Sequence, residues 1–261
     1  MAWEPAQYLQ FAGERLRPAI DLLVRVQLEH PRTIVDLGCG AGNVTRLLGE
    51  RWPDARIVGV DSSPEMLDEA RAATAGDPRY QFVAADLAAW EPDAPVDVVY
   101  SNAALHWLSD HDTLFPRVAK MVASGGVLAV QMPDSFRAPS HTAIEEIGMS
   151  ERWRANLEPV LRGPSIASAT EYLAWLLPLT SHVDMWFTEY MQILPARADG
   201  EHPVAAWTKG TRLVPILSAL DEHERADFLG EYRQRLVVAY PPRADGSTLF
   251  PFRRLFIVAN R

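Results

Sequence analysis

Short apolar, β-branched runs alternate with helical segments through the first half of this chain, and this alternation constrains its fold most. The runs that predict strands are residues 33–37, 56–60, 80–84, 96–101 and 127–132. The intervening segments that read as helices are residues 41–51, a helix opening at 62–65, and 112–122. Ser62 and Glu65 have the spacing of a capping box, and Gly125-Gly126 reads as a turn before the fifth strand. Strands separated by helices at this spacing pair in parallel and are covered by helices on both faces. The sequence therefore predicts an α/β fold with a doubly wound, mostly parallel sheet.

The second half of the chain changes rhythm after Pro133. Residues 140–180 and 203–240 read as helical, whereas 184–191 and 254–259 read as strands that would bring the sheet to seven. We interpret residues 1–261 as one domain. It would have a core at 30–133, helical insertions at 134–183 and 200–240 that form a cap, and final strands at 184–191 and 254–260. Upstream, residues 6–28 predict a helix that is broken or kinked near Pro18.

Composition and charge argue against several classes of function. The 261 residues carry a formal net charge of −9, so we do not expect the basic surface that binds nucleic acid. No segment approaches the roughly 18 apolar residues of a membrane span, and the N-terminus has no basic stretch followed by an apolar one. Cys39 is the only cysteine, so an internal disulfide is impossible. We expect a soluble, cytoplasmic protein without nucleic-acid or membrane partners; the oligomeric state stays open.

A glycine-rich turn follows the first predicted strand. Gly38, Gly40 and Gly42 lie between strand and helix, where glycine lets the backbone approach a ligand closely. The dinucleotide fingerprint G-x-G-x-x-G places a pyrophosphate at such a turn, but here the third glycine comes one residue early. Glycine-rich turns of this kind also occur as ordinary tight turns. The glycines alone therefore do not separate a ligand site from a turn.

Polar side chains stand at the ends of four successive predicted strands. They are Asp36, Asp61, Asp86 and Asn102. The carboxyl ends of parallel strands share one edge of the sheet, which is where open α/β folds bind ligands. There Asp61 could accept hydrogen bonds from ribose hydroxyls, and Asp86 from the exocyclic amine of adenine. The alternative is that each aspartate caps the helix after it, and for Asp86 alone the two interpretations are balanced.

The charge of this edge favours a cationic nucleoside as the ligand. S-adenosylmethionine carries a sulfonium and an ammonium and no phosphate, which suits an acidic edge without a phosphate-binding lysine. Asp36 would repel the pyrophosphate of NAD. A nicotinamide-dependent oxidoreductase is therefore the less favoured alternative, and a module that binds the nucleoside without turnover is another.

Three motifs resemble those of the class I S-adenosylmethionine-dependent methyltransferases. They are Val35-Asp36-Leu37-Gly38-Cys39-Gly40-Ala41-Gly42, Gly59-Val60-Asp61-Ser62-Ser63 and Ala85-Asp86-Leu87. The resemblance covers residues 30–133. It implies a Rossmann-like sheet, S-adenosyl-L-methionine as methyl donor, no metal, and a substrate side formed by the two helical insertions. The cofactor-binding candidates are then Arg15, Asp36, Gly38, Gly40, Asp61, Ser62, Met66, Asp86, Leu87 and Asn102.

A closer resemblance, over nearly the whole chain, is to the family of trans-aconitate methyltransferases. The segments that carry it are residues 3–5, 8–9, 11–12, 14–15, 101–108, 130–134 and 254–259. It implies that one carboxylate of trans-aconitate is converted to a methyl ester. These segments leave out the stretch 150–182, which would help to shape the pocket. The alternative acceptors are another small carboxylate or a malonyl thioester on a carrier protein.

A carboxylate acceptor changes what the site must supply. Its pKa of ~4 leaves it ionised at neutral pH, so no general base is required and the protein has only to position it and exclude water. We therefore predict no catalytic residue in the strict sense, and positioning by His106 and Trp107. The pair His106 and His111 has no carboxylate cluster beside it, so we expect no metal.

The unreacted carboxylates of such a substrate call for cationic partners. The candidate substrate-binding residues are Tyr8, His106, Trp107, Arg137, Arg253 and Arg254. For the arginines the alternative is an ordinary surface position, and for Trp107 it is plain packing at the sheet edge. Tyr8 and Arg15 would lie on an N-terminal helix that acts as a lid, with Arg15 reaching the methionine carboxylate. The alternative is an amphipathic helix with its charges in solvent.

Overall fold

A seven-stranded sheet organises the part of the chain that the computed structural model describes, residues 16–161 and 166–261. Its strands are β1 (Thr33–Leu37), β2 (Arg56–Asp61), β3 (Tyr80–Ala84), β4 (Val96–Asn102), β5 (Val122–Pro133), β6 (His182–Leu194) and β7 (Thr248–Asn260). They lie in the order β3-β2-β1-β4-β5-β7-β6. The first five pair in parallel, and β7 pairs antiparallel with β5. This confirms the predicted seven-stranded, mostly parallel Rossmann-like sheet.

Helices connect the strands, except that β3 runs into β4 through a turn. In the first half they are α1 (Arg17–Leu23), α2 (Asn43–Arg51), α3 (Pro64–Ala73) and α4 (His111–Lys120). The later ones are α5 (Pro139–Gly148), α6 (Arg154–Leu157), α7 (Ala169–Leu176), α8 (Pro203–Lys209), α9 (Leu213–Ser218) and α10 (Glu222–Ala239). Within the described ranges, no helix combines the length and apolarity needed to cross a bilayer.

One local prediction was wrong in detail. The N-cap of α3 is Ser63, whose Oγ accepts from the backbone N–H of Met66, and not Ser62 with Glu65 as partner. The reason is that Pro64 is the first helical residue, so the cap falls on the residue before it. Helix α1 begins at Arg17, so Pro18 lies in its first turn, where the missing N–H costs nothing; residues 6–15 of the predicted helix lie outside the described residues.

The chain divides into two compact units. The first takes the described residues up to Pro133 together with Ile166–Thr188 and Arg254–Arg261. The core between its sheet and helices α4 and α7 includes Val99, Phe115, Tyr172 and Ile257.

The second unit comprises Glu189–Arg253 and the described residues from Asp134 to Leu161. Helices α5 and α10 pack there around Ile144, Trp153, Phe228 and Tyr232, all nearly inaccessible to solvent. The division into one domain with two cap-forming insertions stays a prediction.

Candidate functional site

The turn between β1 and α2 is built by its glycines. The N–H groups of Gly38 and Cys39 both donate to the carbonyl of Val60, at 2.8 and 3.1 Å, which ties the turn to the end of β2. Gly38 has φ of +75°, and a Cβ on it would lie 2.1 Å from the Cβ of Ala104. Gly40 has φ of +52°, but a Cβ there would meet nothing within 4 Å. Gly38 is therefore required by packing, whereas Gly40 borders open space in which a ligand can lie against the backbone.

Asp61 lies opposite that open space, at the end of β2. Its Oδ2 accepts from the backbone N–H of Gly40 at 2.9 Å, and its Oδ1 accepts from that of Ser63 at 3.0 Å. The side chain is half-buried, so these two bonds hold it in one orientation. A carboxylate has about four acceptor positions, and two remain for the donors of a ligand.

Asp36 lies inside the first unit rather than on the open edge. Its side chain is 1% exposed, and its Oδ2 accepts from the hydroxyl of Thr45 on α2 at 2.7 Å. Burial, with a smaller contribution from Asp61, raises the pKa of Asp36 to about 7 against the opposing hydrogen bond from Thr45. A role for Asp36 in cofactor binding stays a prediction.

Asp86 has the geometry of a capping residue. It is exposed, its Oδ1 accepts from the N–H of Ala88 at 2.9 Å, and its carbonyl accepts from Ala89 and Trp90. The described residues 85–95 contain no helix, so Asp86 caps a turn, and the alternative that it caps a following helix is wrong. The neighbouring Leu87 is half-buried, and its Cδ1 lies 3.6 Å from the Cβ position of Gly38. Leu87 thus borders the glycine turn.

Ser62 and Met66 flank the beginning of α3. Both are exposed, Met66 to 47%. An exposed methionine at this helix start offers an apolar surface to a ligand.

The turn after β4 is strained. Ala103 has φ of +53°, a conformation that alanine rarely adopts, and its N–H donates to the carbonyl of Gln131 at 2.9 Å. Asn102, just before it, is half-buried, and its buried Oδ1 has no hydrogen-bond partner within the described chain. Such strain is often found where a fold presents groups to a ligand.

His106 and Trp107 lie on a short 3₁₀ turn, Leu105–Trp107, beyond this point. Burial, with smaller contributions from the charges of Arg254 and His111, lowers the pKa of His106 to about 3, so the imidazole is neutral at pH 7. Its ring centroid lies 4.7 Å from that of Trp107, which is 68% exposed. An indole this exposed does not fit the alternative of plain packing at the sheet edge.

The three candidate arginines have different surroundings. Arg253 forms an ion pair with Asp134, with Nε and Oδ2 3.1 Å apart, and its side chain is 49% exposed. Arg137 is exposed in the turn that leads into α5. Arg254 is only 8% exposed and lies near enough to His106 to lower its pKa. Arg254 belongs to the first unit, with the glycine turn, whereas Arg137 and Arg253 belong to the second.

The remaining candidates concern the N-terminus, the thiol and metals. Tyr8 and Arg15 lie outside the described residues. Burial raises the pKa of the Cys39 thiol far above its usual range, so it is no nucleophile. Across residues 16–161 and 166–261, the structure brings no three His, Cys, Asp or Glu side chains together as a metal ion would need.

Comparison with known proteins identifies the family. The sequence pattern of a methyltransferase domain matches residues 34–126. A trans-aconitate 2-methyltransferase of Azoarcus sp. (strain BH72) is 46% identical, over 99% of this chain and 99% of its own length. The chain belongs to the trans-aconitate 2-methyltransferase family. Members bearing that name in Streptomyces coelicolor and Shigella dysenteriae serotype 1 are 46% and 44% identical, each over 99% of this chain and over 86% and 98% of their own lengths.

Solved structures of more distant methyltransferases share the fold. Phosphoethanolamine N-methyltransferase 2 of Haemonchus contortus, in complex with S-adenosyl-L-methionine, superposes with a TM-score of 0.55 at 15% identity, covering 98% of this chain and 56% of that one. Geranyl diphosphate C-methyltransferase of Streptomyces coelicolor gives 0.52 at 17% identity, covering 93% and 78%. At these identities the likeness concerns the fold alone.

One residue at this edge, Gln131, was not among the candidates predicted from the sequence. It is the one amide in the apolar run 127–132, and the structure buries it completely. A polar residue within a strand that is otherwise apolar was the available signal.

Proposed function

We propose that this member of the trans-aconitate 2-methyltransferase family transfers a methyl group from S-adenosylmethionine to one carboxylate of trans-aconitate, giving the monomethyl ester. The observation that carries the proposal is the 46% identity, over 99% of both chains, with a protein of that name. The open backbone at Gly40 beside the fixed carboxylate of Asp61 supports the choice of donor.

The donor would be held by the edge of β1 and β2. Asp61 would accept from the ribose hydroxyls, and the backbone at Gly40 would lie against the methionine part. Ser62, Met66 and Leu87 would surround the adenine, with Asp86 as a further acceptor. The Asn102 Oδ1 would accept from the donor's ammonium group. Bound S-adenosylmethionine supplies an electrophilic methyl group on a positively charged sulfur.

The protein has little acid–base chemistry to perform in this reaction. A carboxylate with a pKa of ~4 is ionised at neutral pH and can attack without losing a proton. His106, with its pKa of about 3, is neutral there and can only donate or accept a hydrogen bond. Trp107 would shield the nucleophile from water. The barrier is then lowered by positioning and by desolvation.

The net charge of −9 does not prevent an anionic substrate from binding. At physiological salt the screening length is about 8 Å, so charges within the pocket outweigh distant ones. Arg254 is the candidate whose surroundings fit this task best, because a buried guanidinium interacts strongly with a carboxylate. Arg137 and Arg253 remain further candidates. A cytoplasmic location stays a prediction, as does the lack of nucleic-acid and membrane partners.

The test is incubation of the purified protein with methyl-labelled S-adenosylmethionine and a panel of acceptors. The panel contains trans-aconitate, other di- and tricarboxylates, and a malonyl thioester on a carrier protein. We expect label in a monomethyl ester of trans-aconitate, identified by mass spectrometry. Label in another acceptor at much higher kcat/KM would overturn the choice of substrate but leave the chemistry standing.

A further inference from the structure

Gln131 is a buried amide without partners. It lies on β5, its exposure is 0%, and neither Oε1 nor Nε2 has a hydrogen-bond partner within the described chain. A glutamine amide offers two donors and two acceptor positions, and folded proteins rarely leave such a group unbonded in the interior. The side chain therefore points to a ligand that supplies the missing bonds.

The register of the sheet sets Gln131 in a polar row. Asn102 on β4 pairs with Gln131, and Gln131 pairs with Phe256 on β7. Residues paired directly across strands project on the same face of a sheet. Asn102, Gln131 and Phe256 therefore form one row across three adjacent strands, at the carboxyl end of β4.

Arg254 belongs to the same face. Side chains alternate along a strand, so Arg254 projects on the side of Phe256, two residues further along β7. It pairs with Pro133, two residues beyond Gln131 on β5. Strands lie roughly 4.8 Å apart, which places the buried Arg254 diagonally next to Gln131.

The surroundings of this row are partly polar and partly apolar. His106, whose pKa Arg254 affects, has a buried Nδ1 with no hydrogen-bond partner within the described ranges. Next to Gln131, Phe256 stacks on Trp186, with ring centroids 4.8 Å apart and planes within 7°. The row thus combines amide and guanidinium groups with an aromatic wall, which suits a planar unsaturated carboxylate.

The strand order separates Gln131 and Arg254 from the donor's position and leaves Asn102, which would bind the donor's ammonium group, between them. Gly40 and Asp61 lie at the ends of β1 and β2, whereas β4, β5 and β7 follow on the other side of β1. A methyl group that leaves a donor over β1 and β2 would reach its acceptor over β4 and β5.

We propose that Gln131, together with Arg254, binds a carboxylate of the acceptor that is not methylated and so orients the carboxylate that is. The Gln131 Nε2 donates to one carboxylate oxygen, and the Arg254 guanidinium donates to the same group. This inference rests on the proposed function and deepens it. Gln131 is in these terms a substrate-binding residue that positions the acceptor.

The test compares Gln131→Met with Gln192→Met, a matched control. Gln192 is a buried strand glutamine of the second unit whose Oε1 also lacks a partner within the described chain. For Gln131→Met we expect KM for trans-aconitate to rise roughly tenfold or more, as for a lost hydrogen bond to a charged group. The Kd for S-adenosylhomocysteine should stay within about twofold, and the ligand-free Tm should hold or rise because the unpartnered amide is gone. Gln192→Met should leave KM unchanged.

Three results would overturn the inference. They are an unchanged KM in Gln131→Met, an equal rise in KM in Gln192→Met, or a parallel loss of donor affinity and Tm, which would indicate a structural role. If Gln131→Met does not fold, Gln131→Asn is used instead, because it shortens the side chain and keeps the amide. The same rise in KM is expected for Gln131→Asn.

A direct binding experiment distinguishes failure of the inference from failure of the proposed function. Calorimetry with S-adenosylhomocysteine present measures binding of trans-aconitate and of other di- and tricarboxylates. If the wild type does not methylate trans-aconitate but binds one of these carboxylates, the proposed function fails, and loss of that binding in Gln131→Met still supports the inference. If no carboxylate binds to the wild type, or the variant binds as well as the wild type, the inference is wrong.

Discussion

Asp36 shows how one buried side chain can oppose stability. Its carboxyl is almost inaccessible, with the Thr45 hydroxyl as its hydrogen-bond donor, and burial raises its pKa from 3.8 to about 7. Between about pH 4 and 7 the folded state therefore keeps a proton on Asp36 that the unfolded state releases. A cationic ligand nearby would favour the ionised form. Groups retained at the expense of stability are typical of functional sites.

The stability of the protein should consequently depend on pH through Asp36. Between about pH 4 and 7 the folded state binds more protons than the unfolded state, so this group's contribution to the free energy of unfolding falls as pH rises and is constant above 7. Asp36→Asn removes this dependence. The free energy of unfolding of the variant, measured relative to that of the wild type, should therefore be higher at pH 8 than at pH 4 by on the order of a few kcal/mol. Urea unfolding at both pH values measures this. Parallel pH profiles for the two proteins would show that Asp36 has no raised pKa.

Arg254 allows a second prediction at this scale. A lysine cannot bind a carboxylate in the bidentate fashion of arginine, so Arg254→Lys should raise KM for trans-aconitate about tenfold. Arg197→Lys is the control, because Arg197 forms an exposed ion pair with Asp199 in the second unit. Steady-state kinetics at saturating donor compare the two. If Arg254→Lys and Arg197→Lys had the same KM for trans-aconitate, Arg254 would not bind the substrate.

At the scale of elements, the glycine turn contains one glycine that packing requires, Gly38, and one that borders open space, Gly40. Gly38→Ala would combine a strained φ with a Cβ only 2.1 Å from that of Ala104, and should destabilise the protein by roughly 3 kcal/mol or more. Gly40→Ala carries the strain alone, about 1–2 kcal/mol, because its Cβ meets no atom within 4 Å.

A matched glycine isolates the effect on the donor. Gly76 also has a positive φ, +88°, with no atom within 4 Å of a Cβ, and it lies outside the turn. Gly76→Ala and Gly40→Ala should lose similar stability in chemical unfolding, but only Gly40→Ala should raise the Kd for S-adenosylmethionine. If both variants bind the donor as the wild type does, the backbone at Gly40 does not face it.

The strands were predictable to the extent that their boundaries are marked locally. The runs 33–37 and 80–84 match β1 and β3 residue for residue, because an arginine precedes each run and Gly38 or Asp86 follows closely. Strand β5 begins at Val122, five residues before the predicted start at 127. Gly125 and Gly126 read as a turn, yet Gly126 is needed within the strand because a Cβ there would lie 2.6 Å from the Asp97 carbonyl oxygen. A close approach between strands leaves no mark in one strand's sequence.

At the scale of the whole molecule, the strand order brings together residues that are far apart in sequence. The edge that holds Gly40, Asp61 and Asn102 was predictable, because parallel strands end on the same side. The role inferred for Gln131 was not predictable, because it depends on the register of β4, β5 and β7 and on the absence of partners in the folded described chain. Predicting the burial of Asp36 would also have required knowing the position of Thr45 on α2, whose hydroxyl donates to Asp36.

The central claim is that Asp61 and the glycine turn hold S-adenosylmethionine at this edge. Calorimetric titration of the wild type, Asp61→Asn and Asp68→Asn with this donor tests it most directly; Asp68 is an exposed residue of α3 paired with Arg71. We predict saturable binding by the wild type and by Asp68→Asn, and a Kd roughly tenfold or more higher for Asp61→Asn, as expected for lost hydrogen bonds to a charged group. A folded wild type that releases no heat of binding, or an Asp61→Asn variant that binds as tightly, would contradict the account.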